Sequence, residues 1–560
     1  MSKINIKKKS VISLFVCFIL MGITPAQVAG GSSVPSVATS GASLEKWRPY
    51  DFQFTSREVY ANQFLVTMTA TFTGPGGRTL TIPGFYTTNN AWVVRFSPTA
   101  EGSWSYSTSS SDAQLNGKTG IITCVANANT NVHGTIQIDP ANPRHFRYED
   151  GTRYFQLGYE IDWLAMMDFG DVNVTKTRSI IDMISANGFN EVTMALFADD
   201  TPWRKGITTV DGLDPHGKPY DFGPSAVFPW EYSDIKNASS NKFNQAFWEN
   251  LDRVIDYLYQ KGVTAHLYLR MQPNKYTSGM FPRYQSAEED LLIKYATARY
   301  QAYPNIIWDF EKEINARAPI SVMVERLQFI KNSDGYKRLR TIHDADPFSK
   351  DTVANKSVDF YTDQNHAEQN GGYYASLISQ RSYMSYPILN AEYGYQVGND
   401  GGITYTGGKP SAEDMLKKTC EVLMGGGYPA YYYTYHGWDV IRWNETPKDL
   451  NHFLNLANFF KSTKWYTLSP NDSLIEGGSI GKHCLANPGN EYIVYLQNGI
   501  GSVNLTISGA ASGTPLVVKW VDLNSGVAQT MPNVGNGTSA FTKPSSMLSS
   551  PAMLYIYRGM

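Results

Sequence analysis

Cysteine is scarce in this chain: four in 560 residues, one of them, Cys17, inside an apolar N-terminal stretch. Cys124, Cys420 and Cys484 can close at most one bridge within a chain, which excludes a disulfide scaffold. They show no CxxC or metal-ligand spacing, so buried free thiols are expected. Charge is scarce as well. Charged residues make up 18% of the chain and sum to −2, leaving no electrostatic basis for holding nucleic acid or an anionic membrane surface. HExxH and GxGxxG are absent, and Gly478-Ser-Ile-Gly-Lys-His lacks both the spacing and the Ser/Thr of a phosphate-binding loop. His343-Asp-Ala-Asp and Asp363-Gln-Asn-His contain no ligand set of recognised spacing, so the expectation is no metal and no cofactor. Long apolar runs are missing except one, Val11 to Gly22, which follows Lys3, Lys7, Lys8 and Lys9 and precedes small residues at Ala26 and Ala29. It is too short to span a bilayer comfortably. Residues 1–29 therefore read as a signal peptide, and the mature chain as secreted, without membrane insertion.

Aromatic residues are plentiful, at 13% with 36 Tyr and 12 Trp. Aromatic faces stack on sugar rings, but they also fill cores, so composition alone decides neither use. The length suits three or four domains of ~150 residues. Residues 30–45 are rich in Gly, Ser, Ala and Val and read as a flexible linker. Residues 46–140 carry short β-rich runs such as Trp92-Val-Val-Arg-Phe, separated by turns such as Gly-Pro-Gly-Gly at 74–77, with no helical period. That pattern predicts a β-sandwich. Residues 465–560 repeat it, with Tyr492-Ile-Val-Tyr-Leu and Leu516-Val-Val-Lys-Trp-Val among the strands, and predict a second sandwich.

Between them, over 141–464, strand and helix signals alternate. Eight stretches read as strands: 154–159, 190–197, 263–270, 305–310, 339–344, 358–362, 387–392 and 428–435. The clearest helices are 242–260, 287–302 and 411–423, and Asn187-Gly188 and Lys261-Gly262 end helices just before strands. Alternating strands and helices predict a parallel sheet, and eight of them a closed (β/α)8 TIM barrel flanked by the two sandwiches.

Chemistry gathers at the strand ends. Ile306-Ile307-Trp308-Asp309-Phe310-Glu311-Lys312-Glu313 closes on two carboxylates that an extended chain would place on one face, with Lys312 facing away. Tyr386-Pro-Ile-Leu-Asn-Ala-Glu-Tyr-Gly is a second short apolar run ending on an acid, Glu392. Two carboxylates far apart in sequence and joined by a barrel are what glycosidic bond cleavage requires. Glu160 and Asp162 after strand one also belong to the catalytic mouth of such a barrel. So do His266 and Arg270 on strand three, His343 at five, His366 beyond six, and Tyr435, His436 and Trp438 after eight. With Glu311 and Tyr393, these are the candidate carbohydrate contacts, Trp438 foremost.

The motif Ile-Ile-Trp-Asp-Phe-Glu-Lys-Glu resembles the strand-4 motif of clan A glycoside hydrolases, where a Trp precedes an Asn-Glu pair. Pro-Ile-Leu-Asn-Ala-Glu-Tyr-Gly resembles their strand-7 motif. The resemblance implies Glu313 as acid/base and Glu392 as nucleophile of a retaining hydrolase acting on a poly- or oligosaccharide. Lys312 stands where many members carry the Asn that holds the sugar 2-hydroxyl. Ile82-Pro-Gly-Phe-Tyr and the run from Trp92 to Trp104 resemble the β-sandwich of unassigned function that precedes many apiosidase-like barrels. The C-terminal region resembles the small domain labelled collagen-binding behind them. Apiosidases carry Asp at the strand-4 acid position, so Glu313 argues against apiose as the sugar. An inverting hydrolase with Glu311 as acid, and a non-catalytic carbohydrate-binding protein on a barrel scaffold, stay open at this point. The sugar and linkage depend on loops such as 198–240.

Overall fold

The structure is a computed structural model and describes residues 34–37, 41–197, 228–231, 242–271, 281–314, 318–343, 356–366, 372–401, 409–437, 442–511 and 515–559. The expected signal peptide, Trp438 and most of the 198–240 loop lie outside the described residues. No helix among the described residues is long and apolar enough to cross a membrane.

Two sheets form the N-terminal region. One joins Ser36–Val37, Tyr50–Thr55, Ala91–Phe96 and Phe85–Tyr86; the other joins Ser43–Glu45, Thr119–Val125, Gly102–Ser110, Met68–Thr73 and Thr79–Pro83. Alternation explains the packing: Met68, Ala70 and Phe72 point inward while Thr71 and Thr73 face solvent. Phe72 stacks on Phe96 at 3.7 Å between centroids, and Trp92 and Trp104 complete the core. The expected linker is partly built into this region. Ser36–Val37 pairs parallel with Asp51 and Phe52, and Ser43–Glu45 with Thr123–Val125, because both sheets offer an edge and Leu44 is buried there. The C-terminal region carries a six-stranded and a three-stranded sheet around Val494, Leu505, Val518 and Trp520.

The central region is a ring of parallel strands: β1 (Gly158–Glu160), β2 (Glu191–Ala195), β3 (Thr264–Tyr268), β4 (Ile306–Asp309), β5 (Arg340–Thr341), β6 (Tyr361–Asp363), β7 (Ile388–Asn390) and β8 (Tyr428–Tyr432). Neighbours pair in sequence order and β1 pairs with β8; a bridge from His343 to Thr362 links the strand ends at β5 and β6. The eight expected strands are all present. At the first, however, Arg153–Tyr154 belongs to a separate three-stranded sheet, and β1 starts four residues later. The helix Gln245–Lys261 shows why the outer layer forms. Phe247, Trp248, Leu251, Val254, Ile255 and Leu258 recur every three to four residues and are buried, and Gly262 ends the helix at φ 67°.

Candidate active site

At the C-terminal end of β4 the strand pattern stops. The chain bends at Phe310, and Glu313 sits in the left-handed region at φ 55°, a conformation a non-glycine residue adopts at a cost. This bend separates the two acids. Glu311 turns to Arg270 Nε (3.1 Å) and the Tyr284 hydroxyl (2.8 Å), and Arg270 also pairs with Glu289 at 2.9 Å. Burial pushes the Glu311 carboxyl up to about 6, against the opposing Arg270 charge. Glu313 instead accepts from Gln364 Nε2 at 3.3 Å, and its charge acts on Asp162 and Glu392. The expectation that Glu311 and Glu313 share a face is therefore corrected.

Lys312 does not face away from this mouth either. Its backbone N–H bonds the Arg270 carbonyl at 3.1 Å, continuing the ladder with β3, while its side chain enters the ring of carboxylates. The buried ammonium contacts Glu160 Oε1, lies 2.8 Å from Asp162 Oδ2, and stands 3.6 Å from Glu392 Oε2. Burial opposes its charge, but Asp162, Glu160 and Glu392 outweigh burial and push Lys312 well above the ordinary lysine value.

Glu392 follows β7 by two residues. Its Oε1 accepts a short hydrogen bond from the Tyr395 hydroxyl, and its Oε2 has no hydrogen-bond partner among the described residues. Burial pushes its carboxyl up to about 7; the Lys312 charge pulls it down and the Glu313 charge adds to the rise. Tyr393, expected beside the acid, points elsewhere: its hydroxyl is 2.6 Å from Thr419 Oγ1. Gly394 makes the exchange. At φ 140° it turns the chain so that Tyr395 folds back onto Glu392, and a Cβ there would meet Lys418 Nζ at 2.9 Å.

The remaining expected contacts divide. Glu160 and Asp162 belong to the mouth, and Glu160 Oε2 and Asp162 Oδ1 have no hydrogen-bond partner among the described residues. His343 lies beside it, 3.1 Å from the Tyr268 hydroxyl and 3.0 Å from Gln364 Oε1, and burial drives it neutral. His366 packs its ring against Tyr395 at 5.5 Å. His266 lies deeper in the barrel, with both ring nitrogens committed to Glu191 (3.0 Å) and Asp309 (3.1 Å); this leaves none to reach a sugar. Arg270 is spent on Glu311, Glu289 and the Pro282 carbonyl. His436 is held between the Tyr159 hydroxyl at 2.8 Å and the Arg442 carbonyl at 3.1 Å, while Tyr435 donates to Asp400 under the Arg442 guanidinium. His266, Arg270, His436 and Tyr435 thus have structural partners in place of the contacts expected of them. Lys312 and Tyr395 were missed as site residues. No local pattern marks Tyr395, since only the turn at Gly394 brings it in. No group of three or more His, Cys, Asp or Glu able to hold a metal occurs among the described residues. Cys124, Cys420 and Cys484 are buried free thiols.

Comparison with known proteins bears on the family and the fold. The family profile described as "Apiosidase-like, catalytic domain" matches residues 140–500, and one described as a domain of unknown function (DUF5060) matches residues 43–111. No curated protein matches the chain in sequence. Among solved structures, a candidate glycoside hydrolase from Bacteroides vulgatus superposes with a TM-score of 0.73 at 21% identity, covering 92% of this chain and 100% of that one. A glycoside hydrolase family 5 protein from Bacteroides vulgatus has a TM-score of 0.58 at 15% identity, covering 76% of this chain and 93% of its own. At these identities the likeness is one of fold.

Proposed function

The chain belongs to the family of apiosidase-like catalytic domains, and on that premise we propose that it is a secreted retaining glycoside hydrolase acting on a poly- or oligosaccharide. Glu313 donates a proton to the departing glycosidic oxygen while Glu392 attacks the anomeric carbon. Glu313 then takes a proton from the water that releases the glycosyl-enzyme. The observation that carries this reading is that the ends of β4, β6 and β7 converge on one mouth: Lys312, next to Glu313, reaches Glu392 Oε2 at 3.6 Å, and Glu313 accepts from Gln364 Nε2 at 3.3 Å. Retention requires their carboxyl groups about 5–5.5 Å apart, with no room for an inverting water between them. Glu160 Oε2 and Asp162 Oδ1 are oriented acceptors for sugar hydroxyls. Export rests on the basic and apolar pattern of residues 1–29.

The test is a pair of variants on an aryl glycoside chosen from a plant and algal glycan screen. Glu392→Ala leaves space on its face of the sugar, so added azide should restore turnover of an activated substrate and give inverted product. Glu313→Ala should lower kcat/KM by about 10²–10⁴-fold on poor leaving groups and much less on good ones. Wild-type product of inverted configuration, read by NMR, would overturn the retaining assignment.

A further inference from the structure

Lys312 is the charged group at this mouth to which the two-carboxylate reaction assigns no part. We infer that Lys312 is a positioning residue: its ammonium keeps Glu392 a carboxylate and leaves Oε2 as the attacking atom, while Glu160 and Asp162 hold that ammonium in place. The inference rests on Glu392 being the nucleophile proposed above.

The two oxygens of Glu392 are treated differently. Tyr395 donates to Oε1 and so takes one of its lone pairs. Lys312 Nζ stands 3.6 Å from Oε2, near enough to stabilise negative charge and too far to form a hydrogen bond that would occupy the attacking lone pair. Apart from the Tyr395 hydrogen bond, which also favours the carboxylate, the other groups facing Glu392 favour protonation. Burial acts that way, and so do the charges of Glu313 from the end of β4 and Asp162 after β1. Glu160 at the end of β1 is itself pushed well above the ordinary range by burial, and the charge of Glu392 adds to that rise. Tyr268 and Tyr432 flank the ammonium with rings 5.9 Å away, and the neutral His343 lies beyond. Lys312 is thus the cation among the described groups facing Glu392. A buried lysine with one carboxylate partner would make a structural pair. One shared among three carboxylates of the mouth sets their ionisation.

At 3.6 Å and an effective dielectric constant of about 20, removal of the ammonium raises a carboxyl by at most roughly 3 pH units. Two variants test this in opposite directions. In Lys312→Met the acid limb of the kcat/KM profile should rise by about one to three units, lowering turnover at pH 7 roughly five- to five-hundred-fold. In Glu160→Gln, where Asp162 still holds the ammonium at 2.8 Å and Glu160 no longer draws on its charge, the limb should fall. Carbodiimide reacts with the protonated carboxyl, so its rate at Glu392 against pH, read by mass spectrometry, reports the same midpoint without needing substrate. If wild type hydrolyses no glycoside, the proposed function fails, and the labelling midpoints still decide the role of Lys312. If Lys312→Met does not fold, as circular dichroism would show, Glu160→Gln carries the test. A midpoint that stays at the wild-type value in folded Lys312→Met, or in Glu160→Gln, overturns the inference.

Discussion

Arg95→Met would strike the joint between the N-terminal sheets and the barrel. Arg95 leaves the strand Ala91–Phe96 fully buried and bonds both oxygens of Asp51, at 2.7 and 3.0 Å. It also bonds both oxygens of Asp252 on the barrel helix Gln245–Lys261, each at 3.1 Å, and the Arg299 carbonyl at 3.0 Å. Arg299 completes the network with two bonds of 2.8 Å to Asp252. Burial pushes Asp252 up, but Arg299 and Arg95 outweigh it and hold its carboxyl at about 2, against an ordinary 3.8. That depression alone is worth about 2 kcal/mol. Removing Arg95 also strips Asp51 of the guanidinium that takes both its oxygens, and breaking a buried pair costs about 3–5 kcal/mol. For a cooperative unit of 150–250 residues this means a melting temperature lower by roughly 6–20 °C. Scanning calorimetry of wild type, Arg95→Met and Asp51→Leu/Arg95→Met is the assay. The double variant should recover part of the loss, because it no longer buries the Asp51 charge. The pH dependence has a definite sign. Asp252 has a folded pKa below its unfolded value, so its contribution is full above about pH 4 and is lost as pH falls through about 2. The gap between wild type and Arg95→Met should therefore narrow on acidification. Equal melting of Arg95→Met and wild type at pH 7, or a double variant melting below the single, would refute the reasoning.

Three further outcomes follow from the barrel. His266 is raised to about 9 by its bonds to Asp309 and Glu191, which overcome burial. Its stabilisation of about 3 kcal/mol should be full below pH 6.5 and lost as pH rises through 9, and that alkaline slope in melting temperature should be missing in His266→Gln. Tyr395→Phe removes the hydroxyl on Glu392 Oε1 and should lower kcat/KM about tenfold while moving the acid limb upward from its wild-type position near 7. An unmoved limb would show that the bond does not act on ionisation. Glu311→Gln should keep turnover, since Glu311 is spent on Arg270 and Tyr284. Loss of activity in a folded Glu311→Gln would move the acid two residues and revive the inverting alternative.

The alternation of strands and helices in the barrel was legible in the sequence, most clearly where an apolar run such as residues 263–269 follows a helix stop, because burial on both faces imposes that pattern locally. The two flanking β regions were legible from alternation and turn residues for the same reason. The positions of Glu313 and Glu392 at the ends of β4 and β7 followed from the same runs, since a parallel barrel gathers its strand ends at one mouth. The direction of each side chain beyond those ends was not legible. Two-residue alternation holds only while the strand stays extended, and past Asp309 and Asn390 the backbone bends, at Phe310 and at Gly394, even where single bonds such as that of Lys312 still reach the next strand. Tertiary contact alone then decided that Lys312 enters the mouth and Glu311 leaves it, and that Tyr395 meets Glu392 in place of Tyr393. It decided equally that His266 and Arg270 are consumed by neighbours distant in sequence. A buried charge settles where opposite charge awaits it, and those partners, Glu160 and Asp162 for Lys312, Glu289 and Glu311 for Arg270, are assembled only when the ring closes.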